Sequence, residues 1–103
     1  MKEFNKLVRD RIPEIIKLNN QKPLIRIAND EEFKEALKNK LLEEAKEFVK
    51  SDTLEELADV LEVVHCLTKL YGIDFNKLEN IRKKKNEERG SFNDKIILEK
   101  VIV

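Results

Sequence analysis

Carboxylates are the residues with the clearest chemistry in this chain. Seven of the seventeen residues from Glu43 to Asp59, EEAKEFVKSDTLEELAD, are acidic. Five of them form two groups, Glu43-Glu44-x-x-Glu47 and Glu56-x-x-Asp59. Residues three apart share one side of a helix, so each group can aim two or three carboxylates in one direction. Two carboxylates about 4 Å apart repel by roughly 4 kcal/mol at an effective dielectric constant of 20, and each also loses hydration. Either the carboxyl pKa values rise and protons are shared, or a hard divalent cation compensates the charge. A donor set of oxygens alone, with no histidine or thiolate, suits Mg²⁺ or Mn²⁺ rather than Zn²⁺.

Helices must position these groups. Residues 12–20, IPEIIKLNN, read as a short helix with Pro13 in its first turn, where a missing N–H costs nothing. Asn29 with Glu32 three residues later forms a capping-box pattern, opening a helix that should run to about Lys50. The connection KSD is so short that the next helix, opening near Asp52 or Thr53 and ending before Gly72, must fold back antiparallel. Asp74 can cap a last helix that reaches about Arg89 and stops at Gly90. The β-branched runs PLIRIA and KIILEKVIV are the only strand-like segments, and pairing them predicts a two-stranded β element from residues 23–28 and 95–103. The fold class is therefore mainly α: an antiparallel helical hairpin within a small bundle, with a minor β element.

Turning each residue by about 100° sorts the acids. Phe33, Leu37, Leu41 and Phe48 define an apolar stripe with Glu44 in its middle, Glu47 one step to the side and Glu43 further round. In the following helix Glu56 projects between Val63 and Leu67, and Asp59 beside Leu70 and Cys66. The hairpin is thus expected to bring Glu44 and Glu47 against Glu56 and Asp59. The bland alternatives are a surface pairing of Glu43 with Lys46 and a capping role for Glu56 at Thr53. Further along, Phe75, Leu78 and Ile81 mark a buried side that Lys85 and Arg89 continue, with Arg82 beside them. These cations suit phosphate groups, or else simply favour the negative end of the helix dipole. Glu62-x-x-His65 resembles half of a di-iron ligand set, but the chain has one histidine.

Composition narrows the function classes. At 103 residues and 12.2 kDa one domain is expected, spanning residues 1–103. Lys plus Arg and Asp plus Glu both number 21, so no overall field draws the chain to a nucleic-acid polymer or an anionic lipid surface. No apolar run approaches the roughly 20 residues of a membrane helix, the N-terminus has no signal-peptide core, and the single Cys66 cannot form an internal disulfide. A cytoplasmic protein is expected. The wide apolar stripe of residues 54–71 is poorly covered by so small a chain, which predicts a homodimer or a dimer of dimers.

The motif pair EEAKE and EELAD, at this spacing on two antiparallel helices, resembles that of the MazG-like all-α nucleoside triphosphate pyrophosphohydrolases. NKLVRDRIPEII near the start and KNEERGSF near the end are similar to a phosphoribosyl-ATP pyrophosphohydrolase-like subfamily. The resemblance implies Mg²⁺ held by Glu44, Glu47, Glu56 and Asp59, with Glu43 an outer carboxylate. It implies that Lys85, Arg89 and Arg9 bind phosphate, and that Asp10 lines the site. The implied reaction cleaves the α–β phosphoanhydride of a nucleotide to a monophosphate and pyrophosphate, with Glu44 or Glu47 accepting a proton. One departure is Leu42, where the phosphoribosyl-ATP enzymes have glycine. Phosphoribosyl-ATP hydrolysis and a non-enzymatic helical interaction module stand as the alternatives. Phe4, Tyr71 and Phe92 are the aromatic candidates for stacking on a base.

Overall fold

Helix boundaries follow from side chains that satisfy the first free backbone N–H groups. The computed structural model describes residues 5–103, so Phe4 lies outside the described residues. Four helices follow in chain order: α1 (Ile12–Leu18), α2 (Asp30–Ser51), α3 (Leu54–Leu70) and α4 (Phe75–Arg89). Asn29 Oδ1 accepts from the Glu32 N–H at 2.9 Å and starts α2. The reciprocal half of the expected box is missing, because the Glu32 carboxylate is held instead by both terminal nitrogens of Arg26 at 2.6 Å each. A charged fork outcompetes a single neutral backbone donor. Thr53 Oγ1 accepts from the Glu56 N–H at the start of α3, and Asp74 Oδ1 accepts from the Asn76 N–H at the start of α4.

Only Asp52 and Thr53 separate α2 from α3. Asp52 makes the reversal in the left-handed region at φ 56°, a conformation that Asp tolerates better than most residues. Its N–H donates to the Phe48 carbonyl at 2.8 Å and closes the last turn of α2. The two helices pack side by side, and their antiparallel sense is fixed at both ends. Lys34, near the start of α2, sits 5.2 Å over the ring of Tyr71, just past the end of α3. At the opposite end Glu44 of α2 meets Glu56 and Asp59 of α3.

Leu37, Val63 and Thr68 are the buried residues among those described, so the hairpin carries the core. Thr68 tolerates burial because its hydroxyl donates to the His65 carbonyl at 2.6 Å. His65 in turn stacks on Phe75, with ring centroids 3.8 Å apart, and ties the start of α4 to α3. The lone histidine is thus a packing residue between helices.

The expected β element is absent. Among the described residues there is no strand, and residues 23–28 and 95–103 belong to no helix or strand. Alternation shows only that a segment could bury one face, whereas a strand needs a partner and a surface beneath it. Leu24 (99% exposed), Ile27, Ile96 and Ile97 have neither. The radius of gyration is 18.5 Å, against about 13 Å for a compact chain of this length. No helix among the described residues is long and apolar enough to cross a membrane.

Candidate metal centre

The closing end of the hairpin gathers the acids. Glu44 comes from the fourth turn of α2, and Glu56 and Asp59 from the first turns of α3, directly across the two-residue connection. One carboxylate oxygen of each lies within 4.8 Å of the other two, and all three side chains are half-buried. Two of the three come from one helix and the third from its neighbour, so the group exists only when the hairpin is closed.

Glu47 stands outside this close group. It is exposed, as its position to the side of the α2 stripe dictates, but its charge reaches Glu56. Four acids were expected together, and three approach one another with Glu47 at the margin. The Glu56 carboxyl is pushed above the ordinary glutamate range by its partial burial and then by the charges of Asp59, Glu44 and Glu47. Capping does not occupy its side chain: the Thr53 hydroxyl takes the Glu56 N–H, while the carboxylate faces the other acids.

Cations from two sources answer this charge. Arg9 Nη2 donates to Asp59 Oδ1 at 2.6 Å, and Lys6 Nζ donates to Glu43 Oε1 at 3.2 Å. Lys40 lies one turn before the acids on α2, 3.6 Å from Glu43 and 3.5 Å from Glu44. The hydrogen bond from Lys6, with Lys40 nearby, holds the Glu43 carboxyl below its usual range. Helix-wheel reasoning passed over Lys6 and Lys40, although the spacing of Lys40 to Glu43 and Glu44 is the ordinary i, i+3 and i, i+4 one. Arg9, expected only from a family resemblance, gains a physical reason: the N-terminal segment runs past the acidic end of the hairpin. Asp10 is exposed, and its charge reaches the Cys66 thiol, which burial and a hydrogen bond to Glu62 push upward.

Among the described residues, no contact joins the expected phosphate-binding pair to the acids. Lys85 and Arg89 are exposed on α4 and make no ion pair among the described residues, and Arg82 is committed to Glu79 of its own helix. Among the described elements α4 packs against α3 alone. Tyr71 lies at the far end of the hairpin, roughly 18 Å along α3 from Asp59 at 1.5 Å per residue. It is no neighbour of the acids.

A magnesium ion fits this donor set. Oxygens around one Mg²⁺, bound at about 2.0–2.1 Å, lie about 2.9 Å apart when adjacent and about 4.2 Å apart when opposite. The three carboxylate oxygens, within 4.8 Å of one another, stand close to that spacing. Five carboxylates, Glu43, Glu44, Glu47, Glu56 and Asp59, face three cations, Lys6, Arg9 and Lys40, leaving a local excess of two negative charges. That excess matches one divalent cation.

Fold and site together define a class: an α-helical hairpin protein whose two helices share a carboxylate group at their connected end. Over 47 residues, 46% of its length, the chain is 49% identical to an uncharacterized protein of Mycolicibacterium smegmatis. The chain spans about half (48%) of that relative's length. No family model and no solved structure matches it.

Proposed function

We propose that the chain is a Mg²⁺-dependent nucleotide pyrophosphohydrolase of the MazG-like kind, acting on a nucleoside triphosphate or a related nucleotide. The observation that carries this reading is the meeting of Glu44, Glu56 and Asp59 oxygens from two helices within 4.8 Å, beside Arg9, Lys6 and Lys40. Glu44, Glu56 and Asp59 would hold the ion, with Glu47 at the margin of the ligand set. Bound Mg²⁺ or Mn²⁺ supplies Lewis-acid polarisation of the α-phosphate and neutralises phosphate charge.

The chain's own residues account for the remaining chemistry. Glu47 is exposed and outside the close group, so it is free to accept the proton of a water that attacks the α-phosphorus. A new P–O bond forms there, and the bond to the α–β bridging oxygen breaks. The electron pair leaves with the pyrophosphate, whose charge Arg9, Lys6 and Lys40 are placed to balance. Arg9 can reach a phosphate without abandoning Asp59, because its guanidinium has five N–H donors and spends one on Oδ1.

Incubation with Mg²⁺ and a nucleotide panel tests the reaction. Equimolar nucleoside monophosphate and pyrophosphate are expected; release of orthophosphate alone, or no turnover of any nucleotide, overturns the reading.

A further inference from the structure

We infer that Lys40 is a counter-ion built into the acidic site, a positioning residue that steadies the Glu44 carboxylate in the metal-free chain and weakens the site's hold on a bare divalent cation. This role rests on the metal-centre part of the proposed function and not on the reaction. Lys40 Nζ lies 3.5 Å from Glu44 and 3.6 Å from Glu43, so one ammonium bridges an acid inside the close group and an acid outside it.

Exposure sets Lys40 apart from the other cations at this end. Its side chain is 20% exposed, against 60% for Arg9 and 48% for Lys6, and that of its partner Glu44 is 13% exposed. Water and salt screen two covered charges less than two charges at the surface. Lys40 and Glu44 also stand one turn apart on the same helix, α2, so their separation does not depend on the path of an irregular segment. Lys6 and Arg9 precede α1 and belong to no helix.

Removing the Lys40 charge therefore acts in two opposite directions. Glu43, Glu44, Glu47, Glu56 and Asp59 would face Lys6 and Arg9 alone, and the local excess would rise from two negative charges to three. The metal-free chain loses stability, because the acids repel one another with less compensation. A divalent ion is held more tightly, because it no longer shares the Glu44 carboxylate with an ammonium that repels it. With oxygen–metal bonds of about 2.1 Å, such an ion would stand roughly 5–6 Å from Nζ. Even at the dielectric constant of water, that repulsion corresponds to about a tenfold change in Kd. A lysine that only braced the helix would give a different pairing: lower stability, with metal binding unchanged or weakened.

Titration of the full chain with Mn²⁺, counting the free ion by its electron paramagnetic resonance signal, tests this alongside thermal unfolding in chelator. Lys40→Met keeps most of the apolar stem and is expected to bind Mn²⁺ about tenfold more tightly than wild type at low ionic strength, while unfolding at a lower temperature in chelator. Lys40→Arg keeps the charge and is expected to stay within about threefold of the wild-type Kd. Should Lys40→Met fail to fold, Lys40→Gln is read in its place. An unchanged or weaker Mn²⁺ affinity in the neutral variant overturns the inference, as does a Lys40→Arg chain that binds as tightly as the neutral one. Absence of Mn²⁺ binding in wild type and variants alike overturns this inference and the metal centre together. Tighter binding in Lys40→Met, without turnover of any nucleotide by wild type, upholds the inference and overturns the pyrophosphohydrolase reading alone.

Discussion

Replacing Glu44 by glutamine changes one charge at nearly constant shape and should move stability in opposite directions with and without magnesium. The Glu44 and Asp59 oxygens are within 4.8 Å. At that separation two unit charges repel by about 3.5 kcal/mol at an effective dielectric constant of 20, and by about 0.9 kcal/mol in bulk water. Both side chains are half-buried, so the value lies between these limits. Glu44→Gln also loses the 3.5 Å contact with Lys40, an i, i+4 pair worth about 0.3–0.5 kcal/mol. The net expectation in chelator is a gain on the order of 1 kcal/mol, or a Tm raised by about 4–8 °C for a domain of this size. Wild type should then gain about 2.7 kcal/mol when free Mg²⁺ reaches a hundred times its Kd, and the variant should gain little. Thermal unfolding followed by circular dichroism in chelator and in a Mg²⁺ series reads both arms. A variant destabilised in chelator, or one that keeps the full Mg²⁺ response, would refute the claim that these carboxylates repel one another and share an ion.

Further expectations concern pH, the N-terminal segment and the core. In chelator, the folded state holds the Glu56 proton more tightly than the unfolded chain does, so this group's stabilising contribution is present at low pH and is lost as pH rises from the ordinary glutamate value through the raised folded one. Glu43 works in the opposite sense, its contribution being lost as pH falls through its lowered folded value. A Tm-against-pH curve for Glu56→Gln should therefore lose the decline on the high side and keep the one on the low side. Arg9→Met removes an ion pair that is largely exposed, so stability should fall by less than about 1 kcal/mol. The same variant should lower kcat/KM for the nucleotide more than tenfold, and a purely structural Arg9 would leave that ratio unmoved. Leu37→Ala, at a position 3% exposed, should cost about 2–5 kcal/mol in urea unfolding. Asn29→Ala should cost about 1 kcal/mol by freeing the Glu32 N–H at the start of α2.

The hydrogen bonds around Asp59 and Glu43 bear on how the acidic site is tolerated. Lys6 and Arg9 arrive from a segment remote in sequence, 37 and 50 residues from their partners. Both lower the repulsion: Lys6 binds Glu43, outside the close group, and Arg9 binds one oxygen of Asp59, within it. Of the three close acids, Glu56 has no cation beside it among the described residues, and its carboxyl is the one pushed above the ordinary range.

Local chemistry made the four helices legible before any coordinates. Asn29, Thr53 and Asp74 each cap the helix that follows, Gly90 stops the last, and a two-residue connection leaves α3 no direction except back along α2. The same periodicity that placed Leu37 and Val63 inside also put Glu44, Glu56 and Asp59 toward the partner helix, since the 3.6-residue repeat determines direction from spacing alone. What tertiary structure decided is everything that depends on where a whole element sits. The unpaired segments at residues 23–28 and 95–103 and the arrival of Arg9 at Asp59 both turn on long-range placement. A helix wheel gives an angle about one axis; it carries no information about the distance between axes or the path of an irregular segment between them.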